Sequence, residues 1–321
     1  EKIVTKEVIK VVEVEKEVVR IVEKIVVATP VPVAAVMEKD PVQYGGTLSA
    51  IHRAANFAIS GWDPAGFALG AVAYGWPAME TMLGGGIDQY GPRGTNKSAF
   101  TMDFPPLNLL SGELAESWEL GSDPRSIIFH IRPGVMFTGN DHIGTAAREY
   151  PADDAVVVLR RFLDGPVGGL HFYVEKQYAP DKYTHVIELN KPYAHWPWRL
   201  GFFIAGGQYA PESQQAPGGM DDWRNWVGTG PFILTDYVAD SVVTMEANPN
   251  YWGTTTINGK EYQLPFVDKL IQPIIPDPSV QITALRTGNL DMHINVPLRF
   301  ERSLQKTAPE MEKRKYLSQT I

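Results

Sequence analysis

An α/β fold of mixed sheets flanked by helices is predicted by two features of this sequence. After Tyr44, runs with strand period and runs with helix period alternate along the chain, as they do in sheets whose strands are linked through helices. The 321 residues, 44 % hydrophobic and 21 % charged, suffice for one large core or two ordinary ones.

Residues 1–27 stand apart from this pattern: they are a stalk of Val, Ile, Glu, Lys, Arg and one Thr. Val4, Val8, Val11, Val18, Val22 and Ile25 follow four-three spacing, broken at Glu15, which suits a short coiled coil. The β-branched content suits extended chain equally, so both forms stay open. Residues 28–43 read as a Pro/Ala linker, because closely spaced prolines prevent helix. The fold proper spans residues 44–321.

In that part GGTLSAIHRA is a first strand and WPAMETMLG a short helix. GELAESWEL and SIIFHIRPGV pair about the turn Gly121-Ser122-Asp123-Pro124. ADDAVVVLRRFLDG is a helix with Asp153 and Asp154 in its first turn, Arg160 and Arg161 late, and a stop at Gly165-Pro166. Charges placed this way complement the helix dipole, so the two aspartates read as helix-start residues rather than a catalytic pair. HVIELN is a strand, and KPYAHWPWRLGFFIA is an aromatic-rich segment. KLIQPIIPDPS is a strand whose Asp277-Pro278-Ser279 starts the helix VQITALRTG; a strand NLDMHINV and a helix around RFERSLQKTA follow.

The stretch VGTGPFILTDYVADSVVTMEANPNYWG, residues 227–253, admits two readings. A glycine loop that cradles phosphate needs a helix behind it, and none follows. Phe232 and Leu234, then Val242, Thr244 and Glu246, have strand character about the turn Ala239-Asp240-Ser241, so a hairpin is the reading adopted. Gly228 and Gly230 then mark close backbone approach or positive φ.

Composition excludes several classes. A net charge of −8 argues against nucleic-acid binding, which needs clustered cations. The absence of cysteine excludes disulfides, thiolate metal sites and a cysteine nucleophile. The 7 histidines show no pair at the spacing of a helical zinc site, and no apolar run is long enough to span a bilayer as a helix. The chain begins with a charged repeat at Glu1 and not with a methionine, so a segment upstream is expected to have been removed or never included, and any secretion signal or lipid anchor would lie there.

LAESWEL with IIFHIRPGVMFTGN, then ADDAVVVLRRFLD, then VGTGPFILTDYV with MEANPNYWG, then FVDKLIQPIIPDPSVQITALRTGNLDM occur in a fixed order. Together they resemble the family 5 extracellular solute-binding proteins of bacterial ABC importers, the oligopeptide, dipeptide and nickel binders. The resemblance runs from about Gly45 to the end. It implies a type II periplasmic-binding-protein fold (cluster C), solute capture between two lobes, docking on an ABC permease, and an extracytoplasmic place with a membrane tether. It also implies a binding protein without catalytic residues, metal or cofactor. Members of the family are longer, so the chain is expected to present the first lobe largely complete, to end near the interlobe crossover, and to lack the second lobe. The segments around Gly84 to Asn108 and IGTAAREYP are longer than in relatives and are expected to be surface loops.

By the same resemblance, the ligand-facing wall of this lobe falls on NFAISGWDPAGFALGAVAYGW. Phe67, Leu69 and Tyr74 are the wall candidates, with Trp62 and Trp76 nearby; large aromatic faces give contact area at low entropic cost. Trp196 and Trp198 form a second aromatic candidate, with core packing as the alternative for all of these side chains. Tyr251 and Trp252 are assigned to scaffold. A peptide is the expected cargo. A carbohydrate-binding or carbohydrate-active protein, or an oligosaccharide-specific member of the same family, is the alternative, and an assembly role for the stalk is a third.

Overall fold

The computed structural model describes residues 3–14 and 17–28 through their backbone, and residues 42–51, 59, 61–66, 73–85, 107–166, 168–202, 207–294 and 296–313 with their side chains. The chain divides into two compact units, Glu1–Gln43 and Tyr44–Ile321.

The first unit is a β-hairpin. β1 (Ile3–Val14) and β2 (Glu17–Ala28) pair antiparallel without a register break, from Ile3 opposite Ala28 to Val14 opposite Glu17. The coiled-coil reading of the valine spacing is thereby replaced by its extended alternative. Val and Ile fit a pleated strand better than a helix, where their branched Cβ crowds the preceding turn. Glu15 lies outside the described residues, as does the linker from residue 29 to 41.

Among its described residues the second unit carries two large sheets, the larger of five strands and the smaller of four, and three two-stranded ones. β3 (Thr47–Ile51) belongs to the larger one. The smaller is antiparallel and contains β4 (Ala115–Leu120), β5 (Ser126–Ile131), β6 (Val174–Asp181) and β7 (Thr184–Leu189), ordered β6-β7-β5-β4. Strict alternation buries Ile127, Phe129 and Ile131 of β5. Helix α1 (Ala152–Asp164) packs Ala155, Val158, Leu159 and Phe162 into the core beside β6 and β7, with the two aspartates in its first turn and Arg161 in its last. A short helix α2 (Pro211–Gln215) follows.

The larger sheet is completed by β8 (Phe232–Val238), β9 (Val242–Ala247), β10 (Lys269–Pro273) and β11 (Met292–His293), in the order β8-β9-β10-β3-β11. β3 pairs parallel with β10 and β11 and fills the gap between them, while helix α3 (Pro278–Arg286) connects those two in sequence. Asp277 caps α3 by accepting the N–H groups of Ser279 at 2.7 Å and Val280 at 3.0 Å. Helix α4 (Glu301–Thr307) ends the described chain apart from a few residues. One apolar cluster joins both sheets, from Phe129 and Phe162 to Leu234 and Met245, and Ile51, Leu290 and Leu285 form a small second cluster.

Two local expectations are corrected. WPAMETMLG is not an α-helix: a 3-10 turn at Trp76–Ala78 leads to a strand Leu83–Gly85, and Glu80 between them bridges in extended form to Gln208. The IGTAAREYP segment is not a surface loop throughout, since Arg148 and Glu149 pair with Met136 and Phe137 and Tyr150 is fully buried. Residues 86–106 of the other insertion lie outside the described residues.

Candidate functional site

The Trp62-Asp63-Pro64 turn is where the predicted wall begins, and it is held from behind on two sides. The Trp62 ring meets Trp226 edge-on at 6.0 Å and Tyr237 of β8 at 5.0 Å. Both carboxylate oxygens of Asp63 engage Arg161 of α1, one of them at 2.6 Å, and Arg161 also donates to the Tyr209 hydroxyl at 2.9 Å. Asp63 further accepts the Ala65 N–H at 2.9 Å and so closes the turn. A bidentate Arg–carboxylate pair fixes orientation as well as distance, so the turn cannot pivot on α1 without breaking two bonds.

Tyr74 converges on the same Tyr237. Burial pushes its hydroxyl up to about 12, with Tyr237 adding to the effect, and its carbonyl accepts Gln272 Nε2 of β10 at 3.1 Å. Trp62 and Tyr74 are 3 % and 1 % exposed, so within this chain they form a floor, while Trp76 beside them is half-buried. Phe67 and Leu69, the two other wall candidates, lie outside the described residues. Trp196 and Trp198 are placed with the smaller sheet: Trp196 meets Phe129 at 5.8 Å and Trp198 meets His195 at 5.8 Å. Of the five described candidates, Trp62 and Tyr74 are tied to Tyr237 of the larger sheet, and Trp196 is tied to Phe129 of the smaller one.

The glycine turn that follows Trp226 locks against the Trp76–Ala78 turn. A Cβ on Gly228 would stand 1.8 Å from the Ala78 carbonyl oxygen, and one on Gly230 would stand 2.6 Å from that of Pro77. Gly230 N–H donates to the Ala78 carbonyl at 3.2 Å, which uses the close approach. The Asn-Pro-Asn-Tyr-Trp-Gly terminus is anchored to the same segment, since the Tyr251 hydroxyl and Trp252 Nε1 each donate to the Glu80 carboxylate at 3.0 Å. The Arg132 guanidinium lies 4.4 Å over the Trp252 ring. Tyr251 and Trp252 thereby have the scaffold placement expected of them.

Glu80 was not singled out by sequence, and neither was its neighbour Glu113. Burial, and then the nearby Glu113 charge, push Glu80 from 4.5 up to about 8. Burial raises Glu113 as well, although it accepts Thr81 N–H at 3.1 Å and pairs with the Thr81 hydroxyl at 2.9 Å. That hydroxyl also lies 2.7 Å from the Leu83 carbonyl. With one proton and two acceptors, the contact to Glu113 is complete when Glu113 brings a proton of its own.

Asp153 and Asp154 make no acid pair across a groove. Asp154 is buried and accepts Arg148 Nη1 at 2.5 Å, Arg148 also binds Glu212 at 2.7 Å, and Asp153 faces out. Among the described residues no cluster of acidic or histidine side chains is arranged to hold a metal ion.

A mixed sheet crossed by parallel and antiparallel neighbours, joined to a smaller antiparallel sheet, defines the class: this is the fold of type II periplasmic-binding proteins. Two solved structures share it. They are the ABC transporter-associated periplasmic binding protein DppA of Helicobacter pylori in complex with the peptide STSA (TM-score 0.61, 23 % identity, 83 % of this chain and 50 % of that one) and MoaA of Agrobacterium tumefaciens R10 in complex with mannopinic acid (TM-score 0.60, 20 % identity, 84 % and 48 %). Residues 110–320 match the model of the bacterial extracellular solute-binding proteins, family 5 Middle, and the chain belongs to that family. It is 32 % identical over 220 residues to heme-binding protein A of Haemophilus influenzae, covering 62 % of this chain and 38 % of that protein. It is 28 % identical over 200 residues to a dipeptide-binding protein of Pseudomonas aeruginosa, covering 57 % and 36 %. The chain therefore spans well under half the length of these curated relatives.

Proposed function

We propose that this chain supplies one wall of a solute-binding protein that captures a peptide or similar small solute outside the cytoplasm and delivers it to an ABC permease. A membrane tether attached upstream of Glu1 belongs to the same reading. The observation that carries it is the fixed Trp62–Gly66 turn: Asp63 is bolted to Arg161, Trp62 is wedged between Trp226 and Tyr237, and the chain leaves this turn directly into Phe67 and Leu69. A wall with an immobile back loses little entropy when ligand meets its front. Phe67, Leu69 and Trp76 form the proposed contact face, Trp62 and Tyr74 support it from below, and Trp196 and Trp198 form a secondary aromatic contact. A second wall that touches the same solute only when the protein is shut makes binding shift the equilibrium toward the closed form, with no bond made or broken.

Peptide is the proposed cargo because relatives carry that description, among them the P. aeruginosa dipeptide-binding protein and the H. pylori protein solved with STSA. Isothermal titration of the whole gene product with di- and tripeptides, and separately with oligosaccharides, tests the reading. Heat with peptides, weakened by at least about tenfold in Trp76→Ala, supports it. Heat with neither class, together with turnover of either, removes it.

A further inference from the structure

The hairpin at the front of the chain has two open sides. Among the described residues its sheet contains β1 and β2 alone, so each strand shows one row of backbone N–H and C=O groups to no other strand. Neither proline nor a bulge interrupts that row, since residues 3–28 contain no Gly or Pro and the β1–β2 register is unbroken, so charged positions such as Lys6 and Lys10 are the edge protection that remains. Apolar and charged positions are interspersed along both strands, and the register pairs Val4 with Val27 and Ile9 with Val22. A two-stranded ribbon has too little surface to bury such residues on itself, whereas four strands suffice.

The charge pattern selects how a second copy would add. A copy that extends the sheet antiparallel is related by a two-fold axis normal to it, which keeps each residue on its own face and places one residue of the edge strand on the axis, opposite itself. Along β1, an axis at Lys6, Glu7 or Lys10 opposes that charge to its own copy, and an axis at Val8 opposes Lys6 to Lys10. An axis at Ile9 opposes no like charges: Val8 meets Lys10, Glu7 meets Val11, Lys6 meets Val12, and residues 4–14 are all paired. On β2, axes at Arg20, Glu23 and Lys24 oppose like charges, and one at Val22 opposes Arg20 to Lys24. An axis at Ile21 is free of conflict but pairs residues 17–25 and leaves residues 26–28 unmatched. β1 is the better edge.

We propose that β1 is an assembly edge, at which two copies of this chain join about Ile9 into one four-stranded antiparallel sheet in the order β2-β1-β1-β2. The solute-binding units of the two copies are then coupled in one particle, so that a single site of capture presents two traps. The charged residues on the edge act as a register filter: they leave the long β1 pairing about Ile9 uncontested and penalise the registers on either side of it.

The test uses the 321-residue chain and exploits its lack of cysteine. Ile9→Cys places two thiols on the axis, and mild oxidation should give a covalent dimer that reducing agent returns to monomer. Ile21→Cys should stay unlinked, because the two Ile21 positions are three strand spacings apart, roughly 14 Å. Light scattering on the unmodified protein should show twice the monomer mass at micromolar concentration, and Ile9→Lys should raise the dimer dissociation constant at least about tenfold. A monomer at every concentration up to about 100 µM, far above the affinity of a specific interface, overturns the proposal, as does cross-linking of the Ile21→Cys variant while the Ile9→Cys variant stays unlinked.

Discussion

Replacing Glu80 with Gln should remove the Glu80 share, about 2 kcal/mol, of a stability loss that the protein suffers between pH 6.5 and 8. Glu80 keeps its proton up to about 8 in the folded state, against 4.5 ordinarily, because burial and Glu113 disfavour its charge. Between those values the folded chain holds one proton that the unfolded chain has released, so stability falls as pH rises, by about 1.4 kcal/mol per pH unit. Three histidines, His171, His185 and His293, are depressed by burial and oppose this at lower pH. Burial depresses His171 from 6.5 to about 4 and His185 to about 3, so up to 6.5 the unfolded state holds their protons and stability rises with pH. Above 6.5 the histidine slope fades over about one pH unit, is the same in parent and variant, and leaves the raised carboxyls, Glu80 and Glu113. From pH 6.5 to 8 the Glu80 share is about 2 kcal/mol. Gln resembles the protonated acid: its oxygen can accept Trp252 Nε1 and its amide can donate to the Tyr251 hydroxyl, so the variant should lie within about 1 kcal/mol of the parent near pH 6. Urea unfolding at half-unit steps from pH 6 to 8.5 measures both curves. Equal slopes for parent and Glu80→Gln would show that the proton is not held there, and the account of this buried acid would fail.

Two further substitutions probe what positions the proposed wall. Gly228→Ala should destabilise by about 3 kcal/mol or more, since the added carbon would stand 1.8 Å from the Ala78 oxygen, whereas Gly169→Ala, with nothing within 4 Å, should change urea stability by less than about 0.5 kcal/mol. A Gly228→Ala protein as stable as the Gly169→Ala control would contradict the close approach. Arg161→Met should cost about 3 kcal/mol by leaving Asp63 largely buried without its cation, and Asp63→Asn added to it should recover most of that loss; losses that simply add would mean the pair is not coupled.

The elements legible in the sequence are those whose signal is local. Helix α1 was readable because its charges answer its own dipole, and β5 because Ile127, Phe129 and Ile131 alternate. The Asp277 cap and the β8–β9 hairpin about Asp240 follow the same logic, the latter with Asp240 at φ 55 in its turn. The stalk misled in one of its two readings because a valine-rich segment satisfies heptad and strand periods together, and only the preference of branched side chains separates them. Glu80 and Glu113 gave no sign of burial. What encloses Glu80 is Tyr251 and Trp252, 171 and 172 residues away, and no window of sequence carries that information. The role of Gly228 was half visible: glycine implied close approach, but the partner carbonyl at Ala78 belongs to a turn that sequence read as helix.

The same distance dependence explains how the wall candidates sorted. A resemblance identifies a segment, NFAISGWDPAGFALGAVAYGW, but which of its aromatic faces look outward is decided by what stands behind them. Trp226 and Tyr237 fill the space behind Trp62, and Gln272 and Tyr237 close over Tyr74, so both are committed to the interior. Trp76 packs against the core on part of its surface and stays half-buried, while the glycines at 228 and 230 approach the backbone of its turn at Pro77 and Ala78. Trp62 and Tyr74, both in that segment, thus fix its backbone by turning inward, and stiffness of this kind is what a binding wall requires of the residues behind it.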